Sequence, residues 1–165
     1  MNLMINNVLE PITDSSPIEC LARVLFIDKK NNVAKLIGLQ DPPRSPFEVA
    51  LNDLSSSLLA GDTKTVAMLT PEFLLVLEDS LTEIQKLDRD KKWSVIAPLI
   101  ETYYPGQIFY PGQMGRMVSE RASELGVQRK YIYRLLYRFW VHGQLKNAFL
   151  KNYINTGKSA RTYVP

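Results

Sequence analysis

Branched apolar residues crowd two short runs, 19–28 (ECLARVLFID) and 33–39 (VAKLIGL), on either side of the polar turn Lys29-Lys30-Asn31-Asn32. That is the pattern of a β-hairpin. The segment Asp41-Pro42-Pro43-Arg44-Ser45-Pro46 reads as a rigid turn, after which Phe47, Leu51, Leu54, Leu58 and Leu59 recur at helical spacing until Gly61. Ser45 and Pro46 suit the N-cap and first position of that helix. The run 63–69 (TKTVAML) can return as a third strand. Residues 1–17 are polar, carry Pro11 and Pro17 and show no sustained period, so they read as a loosely ordered leader, able to pack as an arm.

Beyond residue 80 the period becomes helical. Leu81, Ile84, Leu87, Trp93, Ile96, Ala97 and Ile100 predict one apolar face over one or two helices, interrupted by the charged stretch 88–92, with Pro98 kinking or opening the last piece. Breaks follow at Tyr103-Tyr104-Pro105-Gly106 and Tyr110-Pro111-Gly112. A further helix is expected from about Pro111 to Glu124, presenting Met114, Met117, Val118, Ala122 and Leu125, and another from about Gln128, with Ile132, Leu135, Leu136 and Phe139 inward until Gly143. The joint Leu125-Gly126-Val127 has the spacing of a helix-turn-helix, Gly126 supplying the positive φ of a tight turn and Val127 plugging the angle. The expected class is α+β: a leader (1–17), a small α+β module of hairpin and helix (18–70), a helix-turn-helix domain (71–148) and a basic linker or tail (149–165).

Charge sharpens this division. The net charge of the 165 residues is only +3, yet residues 1–80 hold 6 Lys/Arg against 11 Asp/Glu, and residues 81–165 hold 14 against 6. From Gly126 onward there are 8 basic residues and no acidic one. A cationic stretch of that kind favours a polyanion, although a solvated helix face would look the same by composition.

The outer face of the last predicted helix decides between those readings. It carries Arg129, Lys130, Tyr133, Arg134, Tyr137 and Arg138. Its first residues, Gln128, Arg129, Lys130 and Tyr131, stand where a recognition helix enters the major groove and meets base edges, and Arg134 and Arg138 stand where phosphates or later bases lie. Two cations at the positive end of a helix dipole are unfavourable without an anion to meet them. Lys146, Lys151, Lys158 and Arg161 extend the basic character as expected phosphate contacts. Trp140 reads as core, whereas Tyr133 and Tyr137 could serve either core or interface.

No Gly-rich phosphate loop, Ser/His/Asp set or metal-spaced cluster is present, and no catalytic residue, metal or cofactor is assigned to this chain. The single histidine, His142, reads as a charge at a helix C-terminus, and Cys20, the only cysteine, as a buried thiol. With no signal pattern and no apolar run of about 18 residues, the expectation is a bacterial, cytoplasmic or nucleoid protein.

Residues 126–157 resemble a known family. Gly126-Val127, the run Ile132-Tyr133-Arg134-Leu135-Leu136-Tyr137-Arg138-Phe139-Trp140, then Gly143-Gln144, Asn147-Ala148, Tyr153 and Gly157 resemble the N-terminal region of TnsB-type transposases. These are end-binding subunits of heteromeric bacterial cut-and-paste transposons and of their CRISPR-associated relatives. Residues 90–125 fit more loosely, with Ile96, Pro98, Leu99 and Ile100 in the place of a first helix. The resemblance implies double-stranded DNA, the repeats of the transposon ends, as the partner, with other transposition proteins beside it. It also implies that a parent enzyme cuts and joins DNA with an acidic triad and magnesium in a domain downstream of Pro165. Relatives commonly place Ser or Thr where Gln128 stands, so this helix starts on a poorer cap, or Gln128 reads adenine.

Two other functions fit the same residues. One is a protein-interaction module docking a transposition partner through the acidic first half, and the other is a stand-alone helix-turn-helix regulator. Neither a membrane nor a small-molecule ligand is expected.

Overall fold

The computed structural model describes residues 2–68, 70–101 and 106–151. It is an α+β fold: a five-stranded antiparallel sheet in the N-terminal half and helices in the C-terminal half. The strands are β1 (Val8–Pro11), β2 (Ala22–Asp28), β3 (Val33–Gly38), β4 (Phe47–Ala50) and β5 (Thr63–Val66), in the spatial order β4-β3-β2-β1-β5. The helices are α1 (Leu51–Ala60), α2 (Glu83–Glu101), α3 (Gln113–Leu125) and α4 (Arg129–Val141).

The predicted hairpin is β2 and β3. Asp28 closes its turn by accepting from the backbone and the side chain of Asn31, and Asn32 takes the positive φ of 57° that asparagine tolerates. The leader is not loose throughout: Val8–Pro11 fills the slot between β2 and β5. No local pattern announces that strand, because its order comes from the neighbours on both sides.

The helix expected from Ser45 begins later. Phe47–Ala50 forms an edge strand on β3, with Glu48 paired to Lys35, and α1 starts at Leu51 with Ala50 in the cap position. Ala50 has no capping side chain. Asn32 of the hairpin turn serves instead, its carbonyl accepting from Leu51 N–H and its side-chain oxygen from Asn52 N–H.

Helix α2 is a single helix opened by a capping box. Thr82 Oγ1 accepts from Gln85 N–H while Gln85 Oε1 accepts from Thr82 N–H. Its buried side chains are Arg89, Val95, Ile96 and Leu99, whereas Ile84 and Leu87, expected on the inner face, are 80% and 69% exposed. Pro98 lies inside the helix, lacks an N–H and so leaves the Ser94 carbonyl without its usual helical donor. Arg121 of α3 donates to that carbonyl at 2.9 Å, and to the next one, Val95, at 2.9 Å. A proline defect in one helix thereby becomes the attachment point of another.

The sheet lies between two cores. One face, with Leu9, Ala22, Val24, Ala34 and Leu36, packs on Leu54 and Leu58 of α1. The other face gives Leu25, Ile37 and Phe26 to the core of α2, α3 and α4. A register shift between Val24 and Phe26 makes this double use possible. Leu25 is the extra residue of a β-bulge, so Leu25 and Phe26 both serve the helical core before Ile27 returns to the α1 side. Phe26 stacks on Phe109 and closes over Gly106, whose φ of 77° and missing Cβ leave room for its ring.

The sheet and the helices therefore share a core across the expected division near residue 70. Leu25→Ala should cost about 2–5 kcal/mol, since the bulge holds its backbone in place over the cavity. Denaturant unfolding followed by far-UV circular dichroism and by tryptophan fluorescence of Trp93 and Trp140 should show one coincident transition, moved to lower denaturant.

Candidate nucleic-acid interface

Helix α4 follows α3 through a three-residue turn. Gly126 takes a φ of 64°, Val127 N–H closes back on the Ala122 carbonyl at 3.1 Å, and Val127 packs half-buried against the helical core. Gln128 then has extended backbone (φ −77°, ψ 143°) in the N-cap position, and its side chain makes no capping bond. The first turn of α4 thus offers unpaired N–H groups at the positive end of the helix dipole.

The underside of α4 is Ile132, Leu135, Leu136, Phe139 and Trp140, each no more than 4% exposed. Trp140 is a core residue, as its sequence context predicts, packed against Phe109 and Tyr137. Arg129, Lys130 and Arg134 are exposed. Arg129 reaches the neutral Ser119 hydroxyl, Arg134 lies over the Tyr131 ring at 5.4 Å, and among the described residues none of the three makes an ion pair.

That lack of partners is selective. Lys35, Lys86, Lys92, Arg116 and Arg121 each pair with a carboxylate, and Arg89 with two, Glu78 and Asp90. The Glu78 hydrogen bond, opposed by burial, raises the Arg89 pKa, while the same contact holds the Glu78 carboxyl below its ordinary range. Lys146 is paired as well, to Asp90 at 2.9 Å. Lys151 is exposed, and Lys158 and Arg161 lie outside the described residues.

Arg138 has a different task from Arg134. Its Nε and Nη2 donate to the carbonyls of Ala148 and Leu150, fastening the short 3-10 turn Lys146–Phe149 against α4, and burial lowers its pKa. The tyrosines are divided. Tyr131, Tyr133 and Tyr137 are half-buried against the helical core, and the Tyr137 hydroxyl is 2.9 Å from the Ser45 hydroxyl. Arg44, the residue before Ser45, is exposed and without an ion pair among the described residues. Its sequence signal was a lone arginine in a proline-braced turn, which the helical reading of Ser45 and Pro46 obscured.

Residues 89–153 match the family model described as TnsB second domain. That stretch of the chain is similar to a TnsB second domain. The matched stretch takes in all of α3 and α4, most of α2 and the turn that Arg138 fastens. No curated protein matches the chain. Among the described residues no group of His, Cys, Asp and Glu could hold a metal ion, and no helix is long and apolar enough to cross a membrane.

His142 closes α4 but not as a charge. Burial first, then the nearby Arg138 and Arg23, push its pKa below the ordinary 6.5, so it is neutral at pH 7, edge-on to the Phe73 ring. The folded chain takes up this proton less readily than the unfolded one. The contribution is therefore intact above pH 6.5 and is lost as pH falls from there through the folded value. Denaturation midpoints at about pH 7.5 and 5.5 should differ more for the wild type than for His142→Gln. Arg138→Leu should cost about 1–3 kcal/mol by leaving two buried carbonyls without a donor, measured by denaturant unfolding.

Proposed function

We propose that the chain is a DNA-binding region of a TnsB-type transposase and that α3 and α4 act as a helix-turn-helix, with α4 as the recognition helix. The observation that carries this reading is the row of unpaired cations Arg129, Lys130 and Arg134 on the outward face of α4, in a protein that pairs most of its other helical cations. The bare N-terminus of α4 adds to it, because phosphate or a guanine edge satisfies both the cations and the free N–H groups. The match to a TnsB second domain supports the ends of the transposon as the DNA bound.

Within this reading Gln128, Arg129 and Lys130 reach base edges, and Arg134 meets phosphate with its plane held on Tyr131. Tyr131 and Tyr133 flank these contacts. Lys151 follows the backbone, with Lys158 and Arg161 continuing the same basic run. Arg138 and Tyr137 position the helix, and Lys146 holds the 3-10 turn against α2 through Asp90. The cleavage and joining with magnesium that the TnsB resemblance implies for a parent enzyme are assigned to no residue of this chain, whose role in this reading is to place that enzyme on its DNA.

A second partner class has its own support. Leu75, Leu77, Ile84 and Leu87 are between 63% and 80% exposed on a segment that also carries Glu72, Glu78, Asp79 and Glu83. Such a surface fits a protein partner with an apolar face and a basic rim, as another transposition protein could present. Deleting residues 1–80 would not separate the two activities, because Leu25 and Ile37 belong to the helical core. Surface substitutions do: Ile84→Asp with Leu87→Asp should leave DNA affinity unchanged.

Gel shifts with duplexes from the ends of the element encoding the chain, against scrambled duplexes at two salt concentrations, test the main reading. Affinity should fall with salt by about 0.9 in log-log slope for each phosphate neutralised. Lys130→Ala and Arg129→Ala should each cost about 1–3 kcal/mol and relax specificity at one position. Salt-insensitive binding, or wild-type affinity in both variants, would overturn the assignment.

A further inference from the structure

We infer that the proline-braced loop 41–46 of the sheet module is a second DNA-contacting element, in which Arg44 meets the phosphate backbone at the rim of the groove that α4 enters. This rests on the recognition-helix reading of α4. The loop leaves β3 and touches α4 where the Ser45 hydroxyl meets the Tyr137 hydroxyl at 2.9 Å. Tyr137 is seven residues past Lys130, about 10 Å along the helix axis at about 1.5 Å per residue. A major groove is about 12 Å wide, so a helix whose first turn lies among base edges carries its third turn to the groove's edge, where phosphates run.

The sheet also sets how much of α4 can enter. Arg23 Nε donates to the Val141 carbonyl, Gln144 donates to the Leu25 carbonyl, and Tyr137 is already engaged by the loop. The last turns of α4 are therefore covered by the sheet module, and only the first two are open to a groove. A module that stops the helix at this depth must itself stand against the DNA backbone. The group it presents there is cationic: Arg44 precedes Ser45, is exposed and has no ion pair among the described residues.

Of the six basic residues in the acidic first half, Arg23 is turned to backbone carbonyls and Lys35 to Glu48. Lys29 and Lys30 sit at the hairpin tip and Lys64 on β5, so Arg44 is the one joined to α4 by its neighbour's hydrogen bond. Asp41 in the same loop cancels any loop-wide attraction. The contact depends on one placed guanidinium, held by Pro43 and Pro46 on either side.

The test uses the full chain, with Arg44→Ala, Ser45→Ala and Lys130→Ala titrated onto an end-sequence duplex and a scrambled duplex of about 30 base pairs from 0.1 M to 1 M salt. Arg44→Ala should lower the log-log salt slope by about 0.9, which is about eightfold weaker binding at 0.1 M relative to 1 M, equally on specific and scrambled DNA. Ser45→Ala should lose part of that effect through the freed loop. Thermal melting should be little changed for Arg44→Ala, since the residue is exposed and has no ion pair among the described residues. A wild-type slope in Arg44→Ala together with weakened binding in Lys130→Ala overturns the rim contact and leaves the recognition helix standing. Wild-type binding in both, or no binding by the wild type, overturns the two together.

Discussion

Helix α4 must bury one stripe, and most of the C-terminal half is arranged to let it. Ile132, Leu135, Leu136, Phe139 and Trp140 are sealed by α2, α3, the bulged strand β2 and the turn Lys146–Phe149. A helix with a buried stripe that wide has little freedom to roll, so its opposite face is set by the same packing. Lys130 and Arg134, a helical turn apart, point outward as a consequence of the core. The Ser94 carbonyl that Pro98 leaves without a helical donor contributes at a distance: Arg121 fixes α3 on α2 through it, and the Gly126 turn then fixes where α4 begins.

Chemistry follows from which cations the fold has already engaged. Arg89 joins Glu78, Asp90 and Asn147, and Asn147 in turn donates to the Leu74 and Val76 carbonyls, so one guanidinium ties the segment before α2 to the chain after α4. Arg138 performs the corresponding work at the end of α4. With these groups committed to structure, the cations at the start of α4 are left without a carboxylate partner among the described residues. An uncompensated charge row beside a bare helix N-terminus raises the free energy of the isolated protein slightly, and an anionic partner removes that cost.

Much of this was legible in the sequence, and the omissions share a cause. The β2–β3 hairpin, the strand at Thr63–Val66, the three later helices and the Gly126 turn all rest on local periodicity and turn chemistry, which a sequence displays directly. Strands β1 and β4 do not: each is four residues long and is ordered by a partner distant in the chain, and Asn32 caps α1 from another hairpin altogether. Ile84 and Leu87 match a helical stripe yet lie outside, because Arg89, which looks exposed by type, finds three polar partners and takes the inward position. Arg134 and Arg138 are alike in sequence context. Only the return of the chain after Gly143 distinguishes them, by placing two carbonyls over the second.

The uneven charge along the chain gains a physical sense once the sheet is seen packed on α4. An acidic first half, 6 Lys/Arg against 11 Asp/Glu, joined to a basic second half, 14 against 6, gives the molecule a lasting charge asymmetry. Near a polyanion that asymmetry exerts a torque that turns the first residues of α4 toward phosphate before any contact forms. Such steering acts most strongly at low salt, where the Debye length is about 30 Å at 0.01 M, comparable to the size of the domain. An acidic half is then no obstacle to nucleic-acid binding. In the proposed DNA-binding reading it favours the orientation in which the α4 end arrives first, where the same cations spread evenly over the surface would arrive in many orientations.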